Sequence, residues 1–204
     1  MGNWSKDEII KISTSLSKKL GPEFISFRKG YNNTRLSYIE GWLVIDLANK
    51  IFGFNGWSSE IKNITTEYCD YNEGRFSYNV GVSVIVKVTL KDGNAREDVG
   101  FGMSENSKSK GQAYEKAKKE AATDALKRAL RQFGSALGNC TYDKEYLKDI
   151  VSVEKEKKTV INVKSLLRKT SHNQFSADGS SELDNLNFTI SDDDTKKHYE
   201  LYFI

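Results

Sequence analysis

From Phe76 to Leu90 the chain keeps a two-residue rhythm that no helix can satisfy. Phe76, Tyr78, Val80, Val82, Val84, Val86, Val88 and Leu90 alternate with Ser77, Asn79, Gly81, Ser83, Ile85, Lys87 and Thr89. Successive strand side chains point to opposite faces, so the run predicts one long strand with a buried apolar face and a polar face. It exceeds the usual strand length of ~5–6 residues. Asp92-Gly93-Asn94 is a hairpin signal, and Ala95 to Phe101 returns as a neighbouring strand, with Gly100 and Gly102 read as its exit. Asn72-Glu73-Gly74 turns the chain on the other side, after a strand from Trp57 to Tyr68. The three strands predict an antiparallel meander.

A meander with one apolar face needs a cover. Lys108 to Phe133 predicts a long helix in which Ala113, Ala117, Ala121, Ala125 and Ala129 recur at spacing four, joined by Leu126, Leu130 and Phe133. Residues four apart share a helix face, and small ones allow close approach to a sheet. The remaining surface carries Lys108, Lys110, Lys116, Lys118, Lys119, Lys127, Arg128 and Arg131 against Glu115, Glu120 and Asp124. Such a surface attracts polyanions. It is equally compatible with solvated pairs, Asp124 with Arg128 and Lys116 with Glu120. Long edge strands hint at subunits pairing side by side.

Two helices precede the meander. Ser5 and Glu8 form a capping-box pattern for a helix to about Lys19, with Ile9, Ile12 and Leu16 at helical spacing and Gly21-Pro22 as its stop. Glu40 to Phe52 predicts the second, with Leu43, Leu47 and Ile51 on its apolar side. Residues 28–37 read as a polar loop. The class is α+β: a β-β-β meander under a long helix, with an N-terminal helix pair. Residues 1–150 hold 23 Lys and Arg against 19 Asp and Glu, and residues 151–204 hold 8 against 9. The positive excess therefore lies in the first unit, 1–150. The second, 151–204, reads as a charged tail, disordered or partner-binding, with an acidic-hydrophobic end.

Several chemistries lack their residues. His172 and His198, the two histidines, lie in the tail, so the folded part holds no Ser/His/Asp or Cys/His constellation. No metal-ligand spacing, dinucleotide fingerprint or P-loop occurs. Glu97-Asp98 reads as a solvated turn-side pair. No catalytic residue, metal or cofactor is expected, and the chain does not read as an enzyme. Cys69 and Cys140 make no disulfide framework and predict reduced thiols in a soluble, intracellular protein. No apolar run approaches the ~20 residues of a membrane span.

A set of ordered motifs is more specific. Leu20-Gly-Pro-Glu-Phe-Ile-Ser, Tyr38-Ile-Glu-Gly, Phe52-Gly-Phe-Asn-Gly-Trp57, Glu97-Asp-Val-Gly-Phe-Gly102, Thr123-Asp-Ala-Leu-Lys-Arg-Ala-Leu-Arg131 and Phe133-Gly-Ser-Ala-Leu-Gly-Asn-Cys140 follow one another. Together they closely resemble the N-terminal domain of the eukaryotic Rad-fifty-two family of DNA-annealing proteins, over about residues 5–150. The resemblance implies subunits joined edge to edge into a ring, a groove for single-stranded DNA around it, and annealing of complementary strands in double-strand break repair. It implies a nuclear protein that also meets double-stranded DNA, and contacts with a recombinase and the single-strand-binding protein. It implies an inner groove of Arg28, Tyr38, Lys127, Arg128 and Arg131, and an outer site of Arg75, Lys108, Lys144 and Lys148. Residues 76–80 read as an insertion relative to the family, and the tail departs from its pattern.

A double-stranded RNA-binding module is the alternative. Its last helix also opens with lysines over an alanine seam, as Lys116-Ala-Lys-Lys-Glu-Ala-Ala does here, and it reads A-form shape and 2′-hydroxyls.

Overall fold

The computed structural model of the chain describes residues 2–155. The elements, in order, are α1 (Lys6–Ser17), β1 (Ser26–Lys29), β2 (Arg35–Tyr38), α2 (Gly41–Phe52), β3 (Trp57–Asn72), β4 (Ser77–Leu90), β5 (Ala95–Ser107), α3 (Lys110–Arg131) and α4 (Lys144–Ile150). The class is α+β, with one antiparallel sheet in the order β3-β4-β5 and a two-stranded ladder β1-β2. The period-two run is β4, the central strand. It pairs with β3 from Trp57↔Leu90 to Asn72↔Ser77 and with β5 from Thr89↔Ala95 to Tyr78↔Ser107.

Val80, Val82, Val84, Val86, Val88 and Leu90 are buried on one face of β4. The alternation breaks at its start. The β4–β5 register slips between Tyr78 and Val80, inside the stretch that reads as an insertion. Ser77, expected on the polar face, is buried, and Phe76, expected on the apolar face, stands in the preceding turn at φ 47° and 72 % exposure. The extra residue of the slip lies on β5, where Ser104 to Ser107 face Val80 to Tyr78, while β3 stays in register with β4 over Asn72 to Cys69. The outer face is also less polar than the alternation implies. Ile85 of β4 lies there beside Val99, Phe101 and Met103 of β5, all partly exposed.

α3 covers the inner face. All five seam alanines are fully buried. The close fit comes from β5, which runs to Ser107 rather than Phe101. Gly100 and Gly102 are mid-strand residues, not its exit. A Cβ on Gly100 would stand 2.2 Å from the Ala125 nitrogen, and one on Gly102 would stand 2.1 Å from the Ala117 oxygen. Glycine facing alanine lets the two backbones approach directly. On the edge of β5, the Phe101 N–H donates to Asp124 (3.4 Å) and the Met103 N–H to Glu120 (3.3 Å). These two acids are thus turned toward the strand, not toward Arg128 and Lys116 as the i,i+4 spacing suggests. A carboxylate on an edge amide also blunts unwanted strand pairing.

The N-terminal region differs more. α1 has the full capping box, with the Ser5 N–H donating to Glu8 at 2.7 Å and the Glu8 N–H to Ser5 Oγ at 3.2 Å. It ends at Ser17, ahead of Gly21-Pro22. α2 buries Val44, Ala48 and Phe52, one position round from Leu43, Leu47 and Ile51, which are half-buried. That helix is apolar enough on two faces for periodicity alone to misjudge its inward side. Residues 28–37 are not a loop. β1 and β2 form a hairpin whose turn holds Asn32 and Asn33 at φ 54° and 59°. Asparagine tolerates that left-handed conformation. Four-residue polar strands leave too short a pattern to see. The expectations placed on the tail from residue 156 onward lie outside the described residues.

Candidate nucleic-acid interface

The hairpin, the last turns of α3 and the segment leading into α4 enclose a groove of about 460 Å³. Arg28 and Tyr38 share a face of the hairpin, because Ser26 pairs with Tyr38 and Arg28 with Leu36. Lys127, Arg128 and Arg131 come from α3. All five expected inner-groove residues line this groove, together with Arg35, Tyr142 and Lys144. A second depression of about 440 Å³, between α1 and the Phe133-Gly134-Ser135 stretch, is lined by no lysine or arginine.

Aromatic rings hold the cations in place. The Tyr38 ring lies 5.7 Å from the Arg28 guanidinium and 5.5 Å from Lys127 Nζ, within cation–π reach of both. Its hydroxyl donates to Glu40 at 3.0 Å, and that bond comes first among the causes that raise its pKa. Lys127 Nζ donates to the Ile39 carbonyl at 3.1 Å. Burial removes water from this ammonium and holds its pKa below the usual 10.5, with Asp124 opposing and Arg28 adding to the shift. Arg35 stacks on Phe27 at 3.6 Å.

Arg131 is pinned. It stacks on Tyr142 at 4.2 Å, and its Nη1 donates to Asn139 Oδ1 at 3.2 Å. Gly138, at φ 108°, makes the turn that delivers Asn139. Arg128 is tied by one atom, its Nε donating to Asp98 Oδ1 at 3.1 Å. Asp98 is therefore not the solvated acid its place near a turn suggests. Gln132 Nε2 donates to its other oxygen at 3.0 Å, and Arg131 Nη2 stands 4.0 Å away. Burial pushes the Asp98 carboxyl up, but the Val99 N–H, Arg128 and Gln132 outweigh it and hold it below the usual carboxylate range.

The expected outer residues do not assemble in one chain. Arg75 and Lys108 meet at the β3–β4 turn, with Lys108 Nζ on the Arg75 carbonyl at 2.6 Å and Arg75 Nη1 on Asn106 at 3.2 Å. α3 begins next to Lys108 and spans 22 residues, about 33 Å at ~1.5 Å per residue. Lys144 stands at its far end, in the groove with the inner set, and Lys148 follows one turn later on α4.

No sequence motif marks Arg35, Tyr142 or Asn139 as site residues, and Asp98 reads in the sequence as a solvated acid. Asp98 had a usable signal. It keeps parity with Gly100 and Gly102 on β5, so it belongs on the side facing α3. Among the described residues no cluster of three His, Cys, Asp or Glu could hold a metal. No helix among them is long and apolar enough to cross a membrane.

Comparisons with known proteins agree on one relationship. Residues 8–160 match the model of the Rad52/22 family of double-strand break repair proteins. The chain is 56% identical over 145 residues to DNA repair and recombination protein RAD52 of Eremothecium gossypii, covering 71% of this chain and 33% of that protein. It is 54% identical over 153 residues to the Saccharomyces cerevisiae protein of that name, covering 75% and 31%. It is 52% identical over 147 residues to DNA repair and recombination protein rad22 of Schizosaccharomyces pombe, covering 72% and 31%. The chain thus spans about a third of the length of the curated relatives it matches.

Proposed function

Because the chain belongs to the Rad52/22 family of double-strand break repair proteins, we propose that it binds single-stranded DNA along the groove and anneals complementary strands in recombination repair. One observation carries this reading. Arg28, Tyr38, Lys127, Arg128 and Arg131, separated by up to about a hundred residues in sequence, line one basic groove.

The chemistry suits an annealing protein. Lysine and arginine neutralise phosphates without reading bases. A strand held by its backbone leaves base edges free for a complement. Arg28, Arg35, Lys127, Arg128, Arg131 and Lys144 supply the cations. Tyr38 and Tyr142 fix several of them, so less side-chain entropy is lost when DNA arrives. Residues 1–150 carry this activity, with 151–204 as a tail for partners such as a recombinase or the single-strand-binding protein, in a nuclear setting.

Self-association into a ring belongs to the same proposal. Its support is the long β3 edge and the apolar patch of Ile85, Val99, Phe101 and Met103 on the outer sheet face; on β5 the Phe101 and Met103 edge amides are already taken by Asp124 and Glu120. The separated outer residues fit this arrangement, since a neighbouring subunit could bring Arg75 and Lys108 toward Lys144 and Lys148.

The test is annealing of two complementary labelled oligonucleotides by wild type and by Lys127→Ala/Arg128→Ala, with particle mass followed by light scattering. Fast annealing by a large homo-oligomer, lost in a variant that still assembles, supports the proposal. No acceleration by an assembled wild type refutes it. Preference for RNA duplex over single-stranded DNA would favour the double-stranded RNA-binding alternative.

A further inference from the structure

The last turn of α3 treats its two arginines differently. Arg131 is held by Asn139, Tyr142 and the Asp98 carboxylate. Arg128 is held through Nε alone. Its two terminal amino groups have no partner among the described residues, and its side chain lines the groove. An arginine anchored by Nε keeps the paired donors that match two phosphate oxygens. The anchor, Asp98, lies on β5 and is not among the groove-lining residues; its side chain is 15% exposed.

Resting on the reading that the groove binds single-stranded DNA, we propose that Asp98 is a positioning residue for phosphate recognition. It holds Arg128 by one edge so that the free guanidinium edge meets the strand, while Arg131 serves mainly to clamp α3 to the Asn139–Tyr142 turn. Asp98 is satisfied by the Val99 N–H, Gln132 and Arg128, which fixes the carboxylate before it fixes the arginine. Asp124, the acid one turn before Arg128, is engaged by the Phe101 N–H and does not cover Arg128.

This role makes a prediction opposite in sign to simple electrostatics. Removing a negative charge from a protein that binds a polyanion should tighten binding. If Asp98 instead presents Arg128, Asp98→Ala weakens binding.

The experiment measures affinity of the full chain for a labelled oligothymidylate, with thermal melts and particle mass as controls on folding. Asp98→Ala should weaken binding by about fivefold, the scale of one lost hydrogen-bonded orientation. Asp98→Asn, whose Oδ1 still accepts from Arg128 Nε although its Nδ2 no longer accepts from Gln132, should bind more tightly than Asp98→Ala, to within about twofold of wild type. In an Arg128→Ala background, Asp98→Ala should cost nothing. Arg128→Lys, which keeps the charge but has no second edge to present, should bind more weakly than wild type by about the same factor as Asp98→Ala.

An Asp98→Ala protein that binds as well as wild type, or equal losses with and without Arg128, would overturn the role. So would wild-type affinity in Arg128→Lys, a variant that tests the idea even if Asp98→Ala does not fold. Failure of wild type to bind oligothymidylate would remove the groove reading itself. Binding by wild type with tighter binding by Asp98→Ala would remove only the positioning role.

Discussion

Along most of its length α3 meets the sheet through alanine methyls and glycine hydrogens, and in its last turns it meets the groove through half-buried cations. The first contact excludes even one carbon atom at Gly100 or Gly102. The second is a set of charged side chains with cation–π and single hydrogen-bond supports. One helix therefore carries a stability surface and a candidate binding surface in series. Substitutions in the first should change folding, and substitutions in the second should change binding.

The widest separation comes from Val84, which is 1% exposed at the middle of the inner face. Val84→Asp buries an unpaired charge and should cost about 4 kcal/mol or more, enough to abolish folding. A cooperative urea transition for this variant would break the assignment of faces. Gly100→Ala comes next. Its Cβ would meet the backbone of Ala121 and Ala125, which no rotamer change relieves, so a loss of about 3 kcal/mol is expected in urea denaturation. A loss below ~1 kcal/mol would mean α3 floats on the sheet.

The groove should behave otherwise. Lys127→Ala and Arg128→Ala should each leave stability within about 1 kcal/mol in the same urea assay, because both side chains are partly exposed. The finest prediction concerns pH. Lys127 has a pKa depressed below 10.5. Between the depressed value and 10.5 the unfolded chain binds more protons than the folded one, so this group's contribution to stability rises with pH. DNA affinity falls across the same window, as the ammonium loses its charge. Lys127→Arg should remove both trends, and an unchanged pH profile of DNA binding would count against Lys127 as a phosphate contact.

The same contrast explains what the sequence discloses. The β4 alternation and the α3 alanines are repeats in one dimension, so periodicity exposes them directly. The partners of those alanines were less visible, because Gly100 and Gly102 on a strand look like a terminus until α3 is placed above them. The groove has no repeat. Arg28 and Tyr38 reach it through a hairpin too short and polar to recognise, and Lys144 arrives from more than a hundred residues away. Family resemblance named five of its residues as groove residues and Lys144 as an outer one, while Arg35 and Tyr142 needed the fold. Asp98 lies close enough to a turn to look exposed in the sequence, whereas its parity with Gly100 directs it to α3.

The most direct test of the central claim is the salt dependence of oligothymidylate binding by wild type and by Lys127→Ala/Arg128→Ala. Each phosphate neutralised on a single strand adds a slope of about −0.7 to the plot of log affinity against log salt. Loss of two contacts should flatten it by between about one and two units, with melting and particle mass unchanged. An unchanged slope in a folded, assembled variant would place the DNA elsewhere and contradict the account.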